Sequence, residues 1–313
     1  MSTILVEAPG LQTTVQDLGR NGFGPLGISP SGAADPISLR LGNRLVGNDE
    51  GAAGLEMMLL GGTFVFPEGA ILALAGSDFG ALLDDVRLEA RTAVEARPGQ
   101  TLRLGPTRSG ARSYLCVQGG ISVELFLGSA STHILSGLGG YQGRALRKRD
   151  VLRIGSATKS FRRRTIAPQA SEQLSERSVL RVTPGPQVDW FAERALHSFY
   201  TGTYRVGEQS NRMGLRLEGA TITQQGAGEM ITEGVSLGAI QVPAGGSPII
   251  LFVEQQTTGG YPKIANVISA DLHRVGQLRP RDEIRFELVS VDQARRLLIE
   301  QEELLASREL ILE

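Results

Sequence analysis

Short apolar runs, each closed off by glycine or proline, recur along most of the chain and constrain its fold more than any other feature. They include GGTFVFPEG (61–69), AILALAGSD (70–78), RSYLCVQGG (112–120), SVLRVTPGP (178–186), SPIILFVEQ (247–255) and EIRFELVS (283–290). Each is short, rich in β-branched and aromatic residues, and bounded by turn formers, so each reads as a strand. The 40 glycines punctuate these runs without the strict period of collagen or a solenoid. Strands joined this tightly leave little room for the crossover helices of a parallel sheet, which predicts a mainly β fold of closed or sandwiched antiparallel sheets.

Helices are few but carry start and stop signals. In DPISLRLGNRLVG (35–47), Asp35 is a candidate N-cap, Pro36 takes the first helical position and Gly47 stands beyond the end. Ile37, Leu41 and Leu45 share one face. A second helix is expected over GPQVDWFAERALHSF (185–199), with Val188, Phe191, Ala195 and Phe199 as its apolar stripe. A third, SVDQARRLLIEQEELLAS (290–307), opens on a Ser290–Gln293 capping box, with Val291, Ala294, Leu298 and Leu305 as its buried face.

A chain of 313 residues predicts two domains. The most polar stretch, GSATKSFRRRTIAPQASEQLSERS, has no sustained apolar period and reads as a linker. It places an N-terminal domain at 1–155, a linker at 156–178 and a C-terminal domain at 179–313. Across that seam GLEMMLLGGTFVF faintly resembles GLRLEGATITQQ, as a duplicated domain would.

Charge narrows the functional classes. The chain has 32 Lys plus Arg against 33 Asp plus Glu, so neither a nucleic-acid surface nor attraction to an anionic membrane is expected. No apolar run reaches the length of a membrane span, and the opening MSTILVEAPG has no basic leader. The single cysteine, Cys116, permits no internal disulfide. These features together read as a soluble cytoplasmic protein.

Most familiar chemical constellations are missing. GFGPLG (22–27) matches the glycine spacing of a dinucleotide loop, but Pro25 interrupts it and a Ser-Pro-Ser turn follows, so a plain loop is expected. No phosphate-binding GxxxxGK[ST] occurs. His133, His197 and His273 are scattered, which predicts no metal site. His197 and His273 are expected at the surface or at helix ends, and Cys116 in the core. The basic clusters RALRKRD and FRRRT read as solvated faces or as contacts between subunits.

What remains is a Gln-Thr-Thr triplet used twice, in LQTTVQDLGRNGFG (11–24) and EQQTTGGYPKIANV (254–267). Gln and Thr are weak acids and bases but hold neutral polar groups well, and adjacent glycines let backbone N–H groups approach a ligand. The expectation is one cleft, formed by loops from opposite chain ends, that grips an unreactive amide. Buried turns satisfying their own backbone are the competing reading. Candidate substrate contacts are Gln12, Thr13, Arg20, Gln256, Thr257, Gly259, Gly260 and Tyr261; candidate catalytic groups are Asp17, Arg212 and Thr258.

APGLQTTVQDLGRNGFGPLGISPSGAAD, NRLVGN, YLCVQGGI, LGSAST, SNRMGLRL and QTTGGYPKIANVISADL, in this order, resemble the KipA family, also called allophanate hydrolase subunit 2. The resemblance covers residues 4–288 and implies two tandem cyclophilin-like β-barrel domains. It implies a subunit of a bacterial 5-oxoprolinase working with a KipI-type and a LamB/YcsF-type subunit. ATP with Mg2+ would be the cosubstrate, bound here or with a partner. The alternatives it carries are a carboxyltransferase subunit of a biotin-dependent urea or amide carboxylase, and a non-enzymatic regulator of a KipI-type kinase inhibitor. No biotinylation segment is present, so biotin would be carried by another polypeptide. Three positions depart from the family pattern: Ala130 replaces an arginine, Asn211 an aspartate and Arg281 a glycine. The first two are expected to remove an ionic contact and the third to alter a turn.

Overall fold

The computed structural model describes residues 2–156, 160–169, 174, 176–225 and 230–313. The chain is mainly β and forms two compact units. The first comprises Met1–Arg20, Ser31–Ser171 and Arg308–Glu313; the second comprises Asn21–Pro30 and Glu172–Ser307.

The strands of the first unit are β1 (Thr3–Ala8), β2 (Gln12–Gln16), β3 (Gly54–Met58), β4 (Thr63–Phe66), β5 (Ala70–Gly76), β6 (Leu82–Leu83), β7 (Val86–Arg87), β8 (Ala93–Ala96), β9 (Gln100–Arg103), β10 (Arg112–Val117), β11 (Ile121–Ser122), β12 (Val151–Ile154) and β13 (Thr165–Ile166). Two sheets result, in the orders β11-β12-β1-β4-β9-β6-β7 and β2-β3-β10-β5-β8. Alternation decides which side chains enter the core. Ile4, Val6, Phe64, Phe66, Leu102 and Leu152 from the first sheet join Val15, Leu55, Met57, Leu72, Leu115 and Val117 from the second in one cluster.

β10 breaks the alternation because both its faces are covered, and all its residues are buried. Helix α1 (Pro36–Val46) packs on its outer side, where Cys116 Sγ lies 3.7 Å from the Leu39 carbonyl. As expected, Asp35 accepts from Ser38 N at 3.0 Å, and Gly47 ends the helix in the left-handed region at φ 79°. Asn43 and Asn48 of NRLVGN then fasten the helix end: Asn43 Nδ2 donates to the Ala52 carbonyl, and Asn48 Nδ2 to that of Val117.

The second unit holds β14 (Val179–Pro184), β15 (Tyr204–Val206), β16 (Gly214–Glu218), β17 (Glu233–Gly234), β18 (Ala239–Gln241), β19 (Ile249–Leu251), β20 (Thr258–Gly259), β21 (Lys263–Val267) and β22 (Glu283–Leu288). A barrel closes in the order β14-β21-β18-β19-β16-β15-β22, with β14 and β22 parallel. Phe199 stacks on Phe286 with ring centroids 4.6 Å apart and Tyr204 tilted beside them. The short ribbon β17–β20 is separate from the barrel.

Three expectations need correction. The region 156–178 is not all linker: β13 pairs with the terminal strand β23 (Ile311–Leu312), and the Glu313 carboxylate accepts from Arg162 and Arg164 at 3.0 Å each. A two-residue strand is too short to show an apolar period. The helix expected over 185–199 is instead a 3-10 turn, Val188–Trp190, an extended Phe191, and α2 (Glu193–Thr201). His273 lies at a helix end, in α3 (Leu272–Gly276), but is buried and not at the surface.

The tail helix α4 (Val291–Ala306) has its capping box, with Ser290 and Gln293 exchanging side chain-to-backbone bonds. Val291 is exposed, however, while Ala294, Leu297 and Leu298 pack on Ile268, Ala270 and Val289. No described helix is long and apolar enough to cross a membrane.

Candidate functional site

The two threonines of the second Gln-Thr-Thr, Thr257 and Thr258, line a cleft of about 560 Å³ within the second unit. One wall is the β17–β20 ribbon, in which Glu233 faces Gly259 and Gly234 faces Thr258. Thr257 and Thr258 lie along it, with Thr258 exposed. Lys263 and Asn266 come from β21, and Pro186 from the loop before α2. Gly24 and Pro25, inside the GFGPLG stretch, complete the lining. That stretch forms a single 3-10 turn ending at Gly27, without the helix that a dinucleotide loop requires.

Lys263 is the cation of this cleft. Its side chain is 3 % exposed, and its ammonium donates to Glu233 Oε1. Gln187 bridges the pair: its Nε2 donates to the same Glu233 oxygen at 2.9 Å, and its Oε1 accepts from Lys263 N at 3.1 Å. The Lys263 and then the Gln187 hydrogen bond hold the Glu233 carboxyl below the usual carboxylate range.

Two glutamine amides converge on Gly259 of the ribbon, those of buried Gln241 and exposed Gln256. A Cβ on Gly259 would stand 2.5 Å from Gln241 Nε2 and 2.9 Å from Gln256 Nε2, so the missing side chain makes room for both. Gln241 is 2 % exposed, and its Nε2 has no hydrogen-bond partner among the described residues. Gly260 and Tyr261 are exposed on the following turn. The arrangement offers hydroxyls, amide nitrogens and one masked cation.

The other sequence candidates have partners within the chain. The first Gln-Thr-Thr is a strand, β2, paired in register with β3. Gln12 is half-buried; Thr13 is buried and donates to the Pro9 carbonyl at 2.5 Å. Asp17 collects four donors: Gly19 N (2.7 Å), Ser129 Oγ (2.7 Å), Ser131 Oγ (2.5 Å) and Ala130 N (2.6 Å). It therefore ties the LGSAST loop to the end of β2, and its lone pairs are engaged. Arg20, buried beside it, donates to the Ser131 carbonyl and lies over the Phe126 ring.

Arg212 is paired with Glu254, Nε to Oε1 at 2.5 Å, both side chains buried. Asn211 Oδ1 accepts from Met213 N at 2.8 Å, a turn role that an amide fills as well as a carboxylate. Ala130 is buried in the first core, and Arg281 adopts φ 73°, the left-handed geometry that suits a glycine. In the basic clusters, Arg144 pairs with Asp150 at 2.7 Å and Arg163 with Glu89 at 2.9 Å, while Arg147, Lys148 and Arg149 are exposed. His133 accepts from Ser136 N in its loop. Among the described residues, no cluster of His, Cys, Asp or Glu suits a metal.

Sequence reading overlooked Lys263 and Glu233. A lysine opening the buried strand KIANV was a usable signal, since an isolated charge in an apolar strand needs a partner. Glu233, in a polar loop, gave none.

The family model for the carboxyltransferase domain, subdomain A and B, matches residues 26–288. The chain is similar to a 5-oxoprolinase subunit of Escherichia coli, 39 % identical over 285 residues and 91 % of each chain. It is 37 % identical to the 5-oxoprolinase subunit of the same name from Haemophilus influenzae, again over 91 % of each chain. Among solved structures it resembles the urea amidolyase of K. lactis, with a TM-score of 0.90 and 32 % identity, covering 99 % of this chain and 21 % of that one. The chain thus spans about a fifth of that larger enzyme.

Proposed function

The chain belongs to the carboxyltransferase-domain family with subdomains A and B, and from that premise we propose that it is a subunit of a heteromeric, ATP-dependent 5-oxoprolinase. It would act with a KipI-type and a LamB/YcsF-type subunit to open the 5-oxoproline lactam to glutamate. The observation that carries this reading is likeness to the Escherichia coli 5-oxoprolinase subunit over nine-tenths of both chains. The cleft supports it with donors suited to a neutral amide.

A lactam resists water because nitrogen donates into its carbonyl. Transfer of the γ-phosphoryl group of ATP to the lactam oxygen releases ADP and leaves an imidate-like carbon. Water adds there and the C–N bond breaks as nitrogen takes up a proton, which leaves an acyl phosphate; a second water hydrolyses it to the carboxylate and inorganic phosphate. In this scheme Gln256, Thr257, Thr258 and the Gly259–Gly260 backbone hold the amide, and Tyr261 stands at the rim. The described cleft holds Lys263 as its cation, and Lys263 is already neutralised by Glu233. That does not make a triphosphate cradle, so ATP and its Mg2+ are assigned to the partner subunit. Asp17, Arg20 and Arg212 are assigned to holding the chain's own structure.

The test is reconstitution with the two partner subunits, followed by ATP- and 5-oxoproline-dependent glutamate release. Thr258→Ala should lower that release about tenfold or more, as loss of an active-site hydrogen bond does. Unchanged release would remove the site assignment. A second reading, carboxyl transfer to a urea-like amide from biotin on another polypeptide, is favoured by the K. lactis likeness. It requires carboxylated-biotin turnover without glutamate formation. Tight binding to a KipI-type protein with no turnover of any amide would leave the regulatory reading.

A further inference from the structure

We propose that Lys263 recognises an anionic group on the amide substrate and that Glu233 is its internal stand-in, displaced when that group binds. The inference rests on the lactam reading and adds the specificity of the same cleft: it selects an amide that carries a carboxylate over a neutral one.

The geometry is that of a masked cation. The Lys263 side chain is 3 % exposed, whereas Glu233, its counter-ion, is 44 % exposed. A buried ammonium without a partner is strongly disfavoured, and Glu233 supplies that partner. Glu233 sits on a two-residue strand outside the barrel, held by β20 and by Gln187. Lys263 is instead fixed at the start of a barrel strand paired with β18. The acidic partner is therefore the movable one.

A ligand carboxylate can replace Glu233 on Lys263, letting Glu233 turn to solvent, and the count of ion pairs is unchanged. A neutral amide has to leave the pair intact or strand the cation, so it forgoes this contact. The distinction matches the chemistry of the two readings, since 5-oxoproline carries a carboxylate and urea does not.

Binding of 5-oxoproline, 2-pyrrolidone (the same lactam without its carboxylate) and glutarate to the full chain tests this by ligand-detected NMR titration. The wild-type chain should bind 5-oxoproline at least about tenfold more tightly than 2-pyrrolidone, and Lys263→Gln should abolish that ratio. Glu233→Gln removes the internal competitor and should tighten 5-oxoproline binding severalfold. A merely structural ion pair predicts lower stability in both variants with an unchanged ratio.

Equal binding of the two lactams, or a ratio that survives Lys263→Gln, overturns the inference and leaves amide binding standing. If neither lactam binds but glutarate does so through Lys263, the lactam reading fails and anion recognition stands. If no carboxylate binds, the inference is overturned.

Discussion

Arg212 and Glu254 form an ion pair, Nε to Oε1 at 2.5 Å, with side-chain exposures of 5 % and 1 %. The backbone ties the same two residues, Glu254 N donating to the Arg212 carbonyl at 2.8 Å. Arg212→Ala should therefore read as a stability mutation. Leaving Glu254 buried and uncompensated is expected to cost about 3–5 kcal/mol. The double variant Arg212→Met/Glu254→Met should recover much of it. Urea-unfolding midpoints check both, and a fully stable Arg212→Ala would make Arg212 a ligand-binding candidate again.

Asp17 accepts from two backbone N–H groups and two serine hydroxyls around the LGSAST loop. In Asp17→Asn an NH2 group must face one of these donors. A loss of about 1.5–3 kcal/mol is expected, the range for hydrogen bonds to a charged group. Hydrogen exchange should rise first at residues 129–132. Wild-type stability accompanied by lost activity would mark Asp17 as a reacting group instead.

Burial pushes the Cys116 thiol from 9.0 up to about 12. In the unfolded chain the thiol ionises near its ordinary value, so between about pH 9 and 12 the unfolded state binds fewer protons than the folded one. By linkage, stability falls as pH rises through that window, and Cys116→Ala should flatten the slope. At pH 8 the folded thiol should resist a thiol-reactive reagent that labels it fully in denaturant. Rapid labelling of the folded chain would contradict this burial.

Gly259 and Gly260 are neighbours in sequence with opposite tolerances. A Cβ on Gly259 meets two glutamine amides at 2.5 and 2.9 Å, whereas on Gly260 the nearest atom is Thr232 Oγ1 at 3.4 Å. Gly259→Ala should cost about 1–3 kcal/mol by overpacking and weaken amide binding as Gln241 and Gln256 are displaced. Gly260→Ala should leave stability close to wild type. Thermal unfolding and lactam titration of both separate the two outcomes.

Much of the fold was legible because its signals are local. Asp35, Pro36 and Gly47 mark α1 through bonds made within one turn, and Ser290 with Gln293 does the same for α4. The apolar runs became strands because β-branched residues between turn formers satisfy their backbone best by pairing. Where the signal is not local, reading failed. Val291 fits the α4 period, but it occupies the first helical position and no neighbour covers it. The 3-10 turn before α2 and the two-residue strands β13 and β23 depend on partners far away in the chain.

The sequence alone determined strands, caps, a balanced charge and the motifs that place the chain in its family, since each is written in neighbouring residues. Tertiary structure decided what the repeated Gln-Thr-Thr does. In the first unit it lies in a register-locked strand with both threonines buried, and in the second its two threonines line a cleft. It also decided which charges are available: Asp17 and Arg212 are held inside by partners 112 and 42 residues away, while Lys263 meets Glu233 across 30 residues at a cleft wall. Desolvation forces every buried charge to find a counterpart, and the folded chain alone fixes which counterpart lies within reach.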